Sequence, residues 1–260
     1  MRRSPWLAAA GWTTLAFLYL PLFVLVAFSF NASKYGSAWG GFTTDWYAKL
    51  FTDRKIMAST WNSAVVAAVS TSLSVVMGTL AVVARGRSED VATRLKDSLF
   101  YIPLLVPELM LAVGFLLFFG VLKRDLGLFA LIIAHTTLTL PLVWLIVKAR
   151  FEKIDPRLED AAVDLGATRW QAFLKVTLPL LGPAVVAGAL MAFVTSLDSF
   201  LISFFVSGPA TTTLPVQIYS MLKFSISPEV NALSTLFFLA SFALVVLAWG
   251  LQGGDDAALH

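Results

Sequence analysis

Six stretches of this chain, near residues 7–30, 61–84, 98–121, 127–147, 180–206 and 231–251, are apolar over about 20 residues or more, the length a helix needs to cross a bilayer. Composition agrees: 58% of the residues are hydrophobic, 21 are Phe and only 13% are charged, a balance outside the range of soluble domains of this size. The expected fold is an all-α membrane protein with six transmembrane helices, formed as a single domain over residues 1–260. Arg2 and Arg3 ahead of the first apolar run resemble the start of a signal peptide. The run is too long for one and leads to Phe28, Phe30 and Asn31 rather than to a small-residue cleavage site, so it reads as a retained helix.

Several function classes drop out early. No Cys is present and His occurs only twice, so disulfides, thiolate metal sites and a protein-built transition-metal centre are not expected. The net charge of +3 is carried by Lys and Arg spaced between the apolar runs, not gathered on a basic face suited to nucleic acid. Their placement reports topology instead. Alternate loops put Arg2, Arg3, Arg85, Arg87, Arg94, Lys96, Lys148, Arg150, Lys153, Arg157, Arg169 and Lys175 on one side, against Lys34, Lys49, Arg54, Lys55, Lys123, Arg124 and Lys223 on the other. The positive-inside rule then predicts that both termini, and the loop over residues 150–179 between the fourth and fifth spans, are cytoplasmic.

That loop has a definite local reading from Leu158 to Pro179. Leu158, Ala161, Ala162 and Leu165 share one face of a short helix, and Gly166 fits the left-handed position that ends it. Thr168 followed by Gln171 matches a capping box, and Trp170, Phe173, Leu174 and Val176 give a second short helix an apolar side before Pro179 opens the fifth span. An amphipathic helix resting on the membrane surface has the same periodicity. Read as an elbow, small Ala residues permit close approach, Trp170 and Phe173 can fill a groove on a partner, and Arg169 can pair with acidic groups there.

The elements Asp160-Ala161-Ala162, Gly166 and Val176-Thr177-Leu178-Pro179, at their spacing and between the fourth and fifth of six spans, resemble the hallmark loop of inner-membrane permeases of binding-protein-dependent ATP-binding-cassette (ABC) importers of the type I architecture. The family usually carries Glu where this chain has Asp160, one methylene shorter, with Glu159 just before it. The resemblance runs from the Asn31 region to about residue 250 and is nearest to the spermidine/putrescine permeases. It is carried by Ser196-Leu197-Asp198 in the fifth span and by several segments of the external link over about residues 208–230. These are Val206-Ser207-Gly208-Pro209, Leu214-Pro215, Ile218-Tyr219-Ser220-Met221 and Ser227-Pro228-Glu229-Val230-Asn231-Ala232-Leu233.

Within the spans the ionisable residues are few: Glu108, His135 and Asp198. A charge in hydrocarbon costs at least ~2.5 kcal/mol on insertion scales, so such groups face a bundle interior or a water-filled path. Carboxylates beside a path would pair with ammonium groups, which makes Asp198 and Glu108, with Ser196 beside Asp198, candidates for a cationic substrate. Two structural roles stay open: Glu108 held neutral or hydrogen-bonded near Pro103 and Pro107, and Asp198 fastening the bundle through an interhelical hydrogen bond. His135 with Thr136, Thr137 and Thr139 reads as an interhelical polar cluster. Outside the membrane, Tyr35, Trp39, Asp45, Trp46 and Tyr47 form an aromatic group beside an acid that serves as an interfacial belt, as a substrate contact through Trp46, or as a docking surface for a binding protein. Tyr219 and Glu229 in the other external loop are placed to face either a delivered substrate or the binding protein.

No phosphate-cradling Gly-x4-Gly-Lys-Ser/Thr loop, no Gly-x-Ser-x-Gly elbow and no His-Glu-x2-His helix occurs, so hydrolysis is not expected of this chain. The resemblance implies that ATP and Mg bind a partner instead. It implies a second homologous permease, two copies of an ABC ATPase docked on the elbow, and a periplasmic polyamine-binding protein, in a bacterial inner membrane. The alternatives are a permease for another small cationic solute, or an ion-coupled secondary transporter using the same buried acids, although no internal duplication of the kind common in secondary carriers is visible.

Overall fold

The computed structural model describes residues 5–33, 38–87, 90–224 and 228–256; Tyr35 of the external aromatic group and Ser227 of the external link lie outside them. In chain order the helices are α1 (Pro5–Phe28), α2 (Asp45–Leu50), α3 (Arg54–Arg85), α4 (Val91–Leu105), α5 (Glu108–Val121), α6 (Leu128–Phe151), α7 (Arg157–Asp164), α8 (Arg169–Ala172), α9 (Leu178–Asp198), α10 (Phe200–Val206), α11 (Leu214–Phe224) and α12 (Pro228–Asp256). A five-residue π turn, Phe173–Thr177, joins α8 to α9. Helices satisfy their own backbone polar groups, which is what a chain in hydrocarbon requires. Five helical segments are long and apolar enough to cross a membrane, and a sixth is reached if α4 and α5 count as one span.

That pair departs from the single helix expected over 98–121. It starts earlier, at Val91, and bends by 100° between Leu105 and Glu108. Pro107 is the cause: its ring excludes the helical conformation at the preceding residue, and Val106 is accordingly extended at φ −76°, ψ 127°. The stretch expected as one span over 180–206 is also divided, at Ser199, whose ψ of 100° ends α9 and starts α10. No Pro or Gly marks that break.

Two compact units are distinguished. The smaller comprises Met1–Met57 and Gln217–Ala240. Its α1 is apolar all round and none of its apolar window is buried, as suits a helix whose surroundings are lipid or another subunit. After α1, Asn31 organises the turn that follows: its side chain donates to the Ala38 carbonyl and accepts from the Ser33 and Gly40 amides, beside an antiparallel bridge to Phe42. Tyr47 hydrogen-bonds Ser29 at 2.6 Å, and Lys49 reaches Glu229 at 2.6 Å.

The larger unit, Ala58–Val216 with Ser241–His260, is built around α6, which packs on α4, α5, α9 and α10. Close approach depends on glycine here. Gly78 of α3 lies against Val143 and the Trp144 amide of α6, and Gly188 of α9 against Val143, so a Cβ at either would come to 3.2 Å or 3.3 Å from its neighbour, closer than ordinary van der Waals contact. Toward one end the core is Ala112, Phe119, Leu131, Ala134, Ile202 and Val206. Toward the other it is Val82, Val143, Trp144, Val147, Phe151 and Leu181. Trp144 is enclosed by Phe100, stacked at 4.7 Å, and by Tyr101, edge-on at 5.3 Å.

Candidate functional site

Two places in the larger unit gather the candidate residues. At the first, the two helix breaks meet. Glu108 is the first residue of α5, and Ser199 is the residue between α9 and α10, which packs along α5. The Ser199 hydroxyl donates to Glu108 Oε1 at 2.8 Å, so one hydrogen bond ties the breaks together. Asp198, next in the chain and last in α9, is exposed and makes no ion pair among the described residues. A helix C-terminus carries partial negative charge, so the α9 end and the Asp198 carboxylate add their attraction for a cation. Glu108 sits at the positive end of its own helix, which offsets part of its charge.

Ser196 has a different place. It is buried and hydrogen-bonded to His135 Nδ1 at 2.8 Å and to the Ser70 hydroxyl at 3.2 Å. His135 Nε2 is bonded in turn to Ser203 at 3.1 Å, and Ser74 to Thr139 at 2.8 Å. Both imidazole nitrogens are therefore partnered within one network that pins α3, α6, α9 and α10 behind the break. In the smaller unit, Trp46 donates its indole N–H to the Asn31 carbonyl at 2.9 Å and lies under the Lys49 ammonium at 5.9 Å. Tyr219, on α11, is exposed.

The second place is the elbow between α6 and α9. α7 ends as the sequence requires: Gly166 has φ +93°, its amide bonds the Val163 carbonyl at 2.9 Å, and the Ala167 amide bonds the Ala162 carbonyl at 3.1 Å. This pair of bonds is the Schellman closure, which needs a left-handed residue. Thr168 then caps α8 reciprocally with Gln171, at 3.2 Å and 2.9 Å. Phe173 is buried while Trp170, with ring centroids 5.4 Å apart, stands exposed above it. Glu159 accepts from the Thr177 hydroxyl at 3.2 Å, which binds α7 to the π turn. Asp160, Ala161 and Arg169 are exposed, and Ala162 is half-buried. With Leu158, Val163, Leu165 and Trp170 also exposed, the elbow offers apolar and charged groups together.

The π turn has a local reason. Pro179 cannot donate to the Lys175 carbonyl, and its ring crowds that carbonyl, so the preceding turn winds wider.

Residues 70–252 match the family described as the inner membrane component of binding-protein-dependent transport systems. The chain belongs to this family. It is a multi-pass membrane protein and the permease subunit of an ABC importer, as its relatives are transport permeases rather than enzymes. The permease is 37% identical over 233 residues to the spermidine/putrescine transport system permease protein PotC of Haemophilus influenzae, covering 90% of this chain and 91% of that one. It is 35% identical over 261 residues to the putrescine transport system permease protein PotI of Escherichia coli K12, covering 96% and 92%. In fold, the permease resembles a chain of a bacterial ABC transporter involved in import of the acidic polysaccharide alginate, with TM-score 0.75, 16% identity and 95% of each chain covered.

Glu108, Asp198 and the elbow residues stand out in the sequence, but the contact between the two breaks does not. Pro103 and Pro107 signalled irregularity before α5, whereas Ser199 carried no such signal. Nor does Asp97 stand out, a buried carboxylate held between Arg85 and Lys148, because it precedes the apolar run and reads locally as an ordinary surface charge.

Proposed function

We propose that this permease carries polyamines, putrescine and spermidine, from the periplasm to the cytoplasm as one half of a transmembrane pathway. The observation that carries the reading is the meeting of the two helix breaks at Glu108 and Ser199, with the exposed Asp198 carboxylate beside them. Interrupted helices supply substrate contacts within the membrane in several transporter folds, because their ends present charge without a charged side chain. A polyamine is a flexible chain with ammonium groups, and Asp198 and Glu108 offer carboxylates to such groups in a medium of low dielectric. Ser196 supports this region through the His135 network, and Trp46 and Tyr219 offer aromatic faces to an ammonium group. The names of the relatives support the same substrate class.

In this reading residues 1–260 act as one permease domain with both termini cytoplasmic, and a second homologous permease completes the pathway. Two copies of an ABC ATPase, where ATP and Mg bind, dock on the elbow through Asp160, Ala161, Ala162, Gly166, Arg169 and Trp170, while the buried Phe173, expected to reach the partner, instead supports Trp170 from beneath. A periplasmic polyamine-binding protein delivers the substrate. ATP binding draws the ATPases together, moves the elbows, and turns the path between its two accesses.

Uptake of labelled putrescine and spermidine into proteoliposomes holding the purified complex tests this, with and without enclosed ATP and external binding protein. Uptake that needs both is expected, and Asp198→Asn lowers it while the subunits stay assembled. Uptake by this chain alone on an ion gradient overturns the importer reading, and normal transport by Asp198→Asn overturns the pathway assignment.

A further inference from the structure

We propose that the groove between α3, α4 and α6 is a binding site for an anionic phospholipid, with the headgroup at Lys96 and an acyl chain in the apolar cavity beyond it. Two cavities share this groove. One, of about 490 Å³, is walled by side chains such as Leu73, Met77, Phe100, Ile133 and Pro141. The other, of about 280 Å³, is lined by Arg85, Lys96, Asp97 and Trp144. Leu99 and Phe100 line both, so the two meet along α4.

Their order along the helices is that of a lipid. The charged cavity lies where α3 ends, α4 begins and α6 approaches its last turn, so it sits at the end of the spans. The apolar cavity runs back along the same helices as far as Leu73, twelve residues before Arg85. At 1.5 Å per residue that is about 18 Å, comparable with one leaflet of a hydrocarbon core about 30 Å thick.

Charge supplies the argument for the occupant. Asp97 accepts from Arg85 Nε at 2.8 Å and from Lys148 Nζ at 2.7 Å, and half-exposed Glu152 lies 3.7 Å from Arg85 and 3.9 Å from Lys148. These two acids balance those two bases. Lys96 is exposed and makes no ion pair among the described residues, so the charged mouth keeps one positive charge. Basic pockets between helices at a membrane face hold anionic headgroups, and a long Lys stem lets its ammonium reach the headgroup level. Trp144 and Tyr101 beneath the Lys148 ammonium, at 4.7 Å and 5.9 Å, hold that cation inward and leave Lys96 to face the lipid. The inference needs only that these helices span the membrane; it does not depend on the transported substrate.

The test is native mass spectrometry of the purified complex after exchange into detergent with equal phosphatidylglycerol and phosphatidylcholine. A retained phosphatidylglycerol adduct is expected, and Lys96→Gln lowers its retention about fivefold, the effect of one charge near a membrane surface. Lys123→Gln, which removes an exposed Lys outside the groove, leaves retention unchanged. A photo-crosslinking amino acid at Leu99 in the otherwise unaltered chain gives an independent reading, and its label should be recovered on phospholipid. No preference for phosphatidylglycerol, equal retention in the two Lys variants, or label recovered on another permease polypeptide would each overturn the proposal.

Discussion

Replacing Gly166 separates conformation from size at the elbow. Its φ of +93° lies where L side chains are strained, yet a Cβ built there meets nothing within 4 Å. The cost of Gly166→Ala is therefore conformational, about 1–2 kcal/mol for forcing a residue into left-handed backbone. That shifts the balance between the closed elbow and its opened forms by a factor of about 5–30. The elbow has little to set against this beyond the two Schellman bonds, the Thr168 capping box and the bond from Thr177 to Glu159. Gly166→Val costs more, since β-branching narrows the choice further, whereas Gly166→Asn costs less because Asn tolerates left-handed backbone despite its bulk. ATP-coupled uptake in proteoliposomes, with ATPase co-purification as a second reading, should rank Gly above Asn, Asn above Ala, and Ala above Val. If Asn is as damaging as Val, bulk governs the site and the conformational reasoning fails.

Three further outcomes follow from packing in the larger unit. Asp97→Asn leaves Arg85 and Lys148, 11% and 14% exposed, without their shared carboxylate, and should lower stability by about 3–5 kcal/mol, read from thermal unfolding of the purified complex. Glu152→Gln, at a side chain 50% exposed, should shift the same curve by less than about 1 kcal/mol. Gly208→Ala would drive a Cβ into the Leu126 carbonyl, a backbone atom that cannot rotate away, and should cost about 1–3 kcal/mol in the same measurement.

The sequence carried more of the elbow than of the meeting of the two helix breaks. At the elbow each element is local: Gly166 closes α7, Thr168 and Gln171 open α8, and Pro179 widens the turn before α9, all within residues adjacent in the chain. The apolar runs likewise announce the spans, because length and hydropathy are local quantities. The break at Ser199 is not local. It is seen only when Glu108, 91 residues earlier, is brought against it, and no propensity within Asp198-Ser199-Phe200 foretells it. Asp97 was missed for the same reason, since its partners arrive from the ends of α3 and α6.

The π turn at Phe173–Thr177 bears on the phase of everything after it. Each residue of an α-helix turns the chain by about 100°, and a π turn takes up one residue more than an α turn would. The face that α9 presents, with Asp198 at its far end, is therefore set by how that single turn is wound. Unwinding it to α geometry would swing the carboxylate about the α9 axis with no hinge anywhere along the helix. In the proposed importer, a displacement of the elbow would reach the membrane interior as rotation rather than as a push.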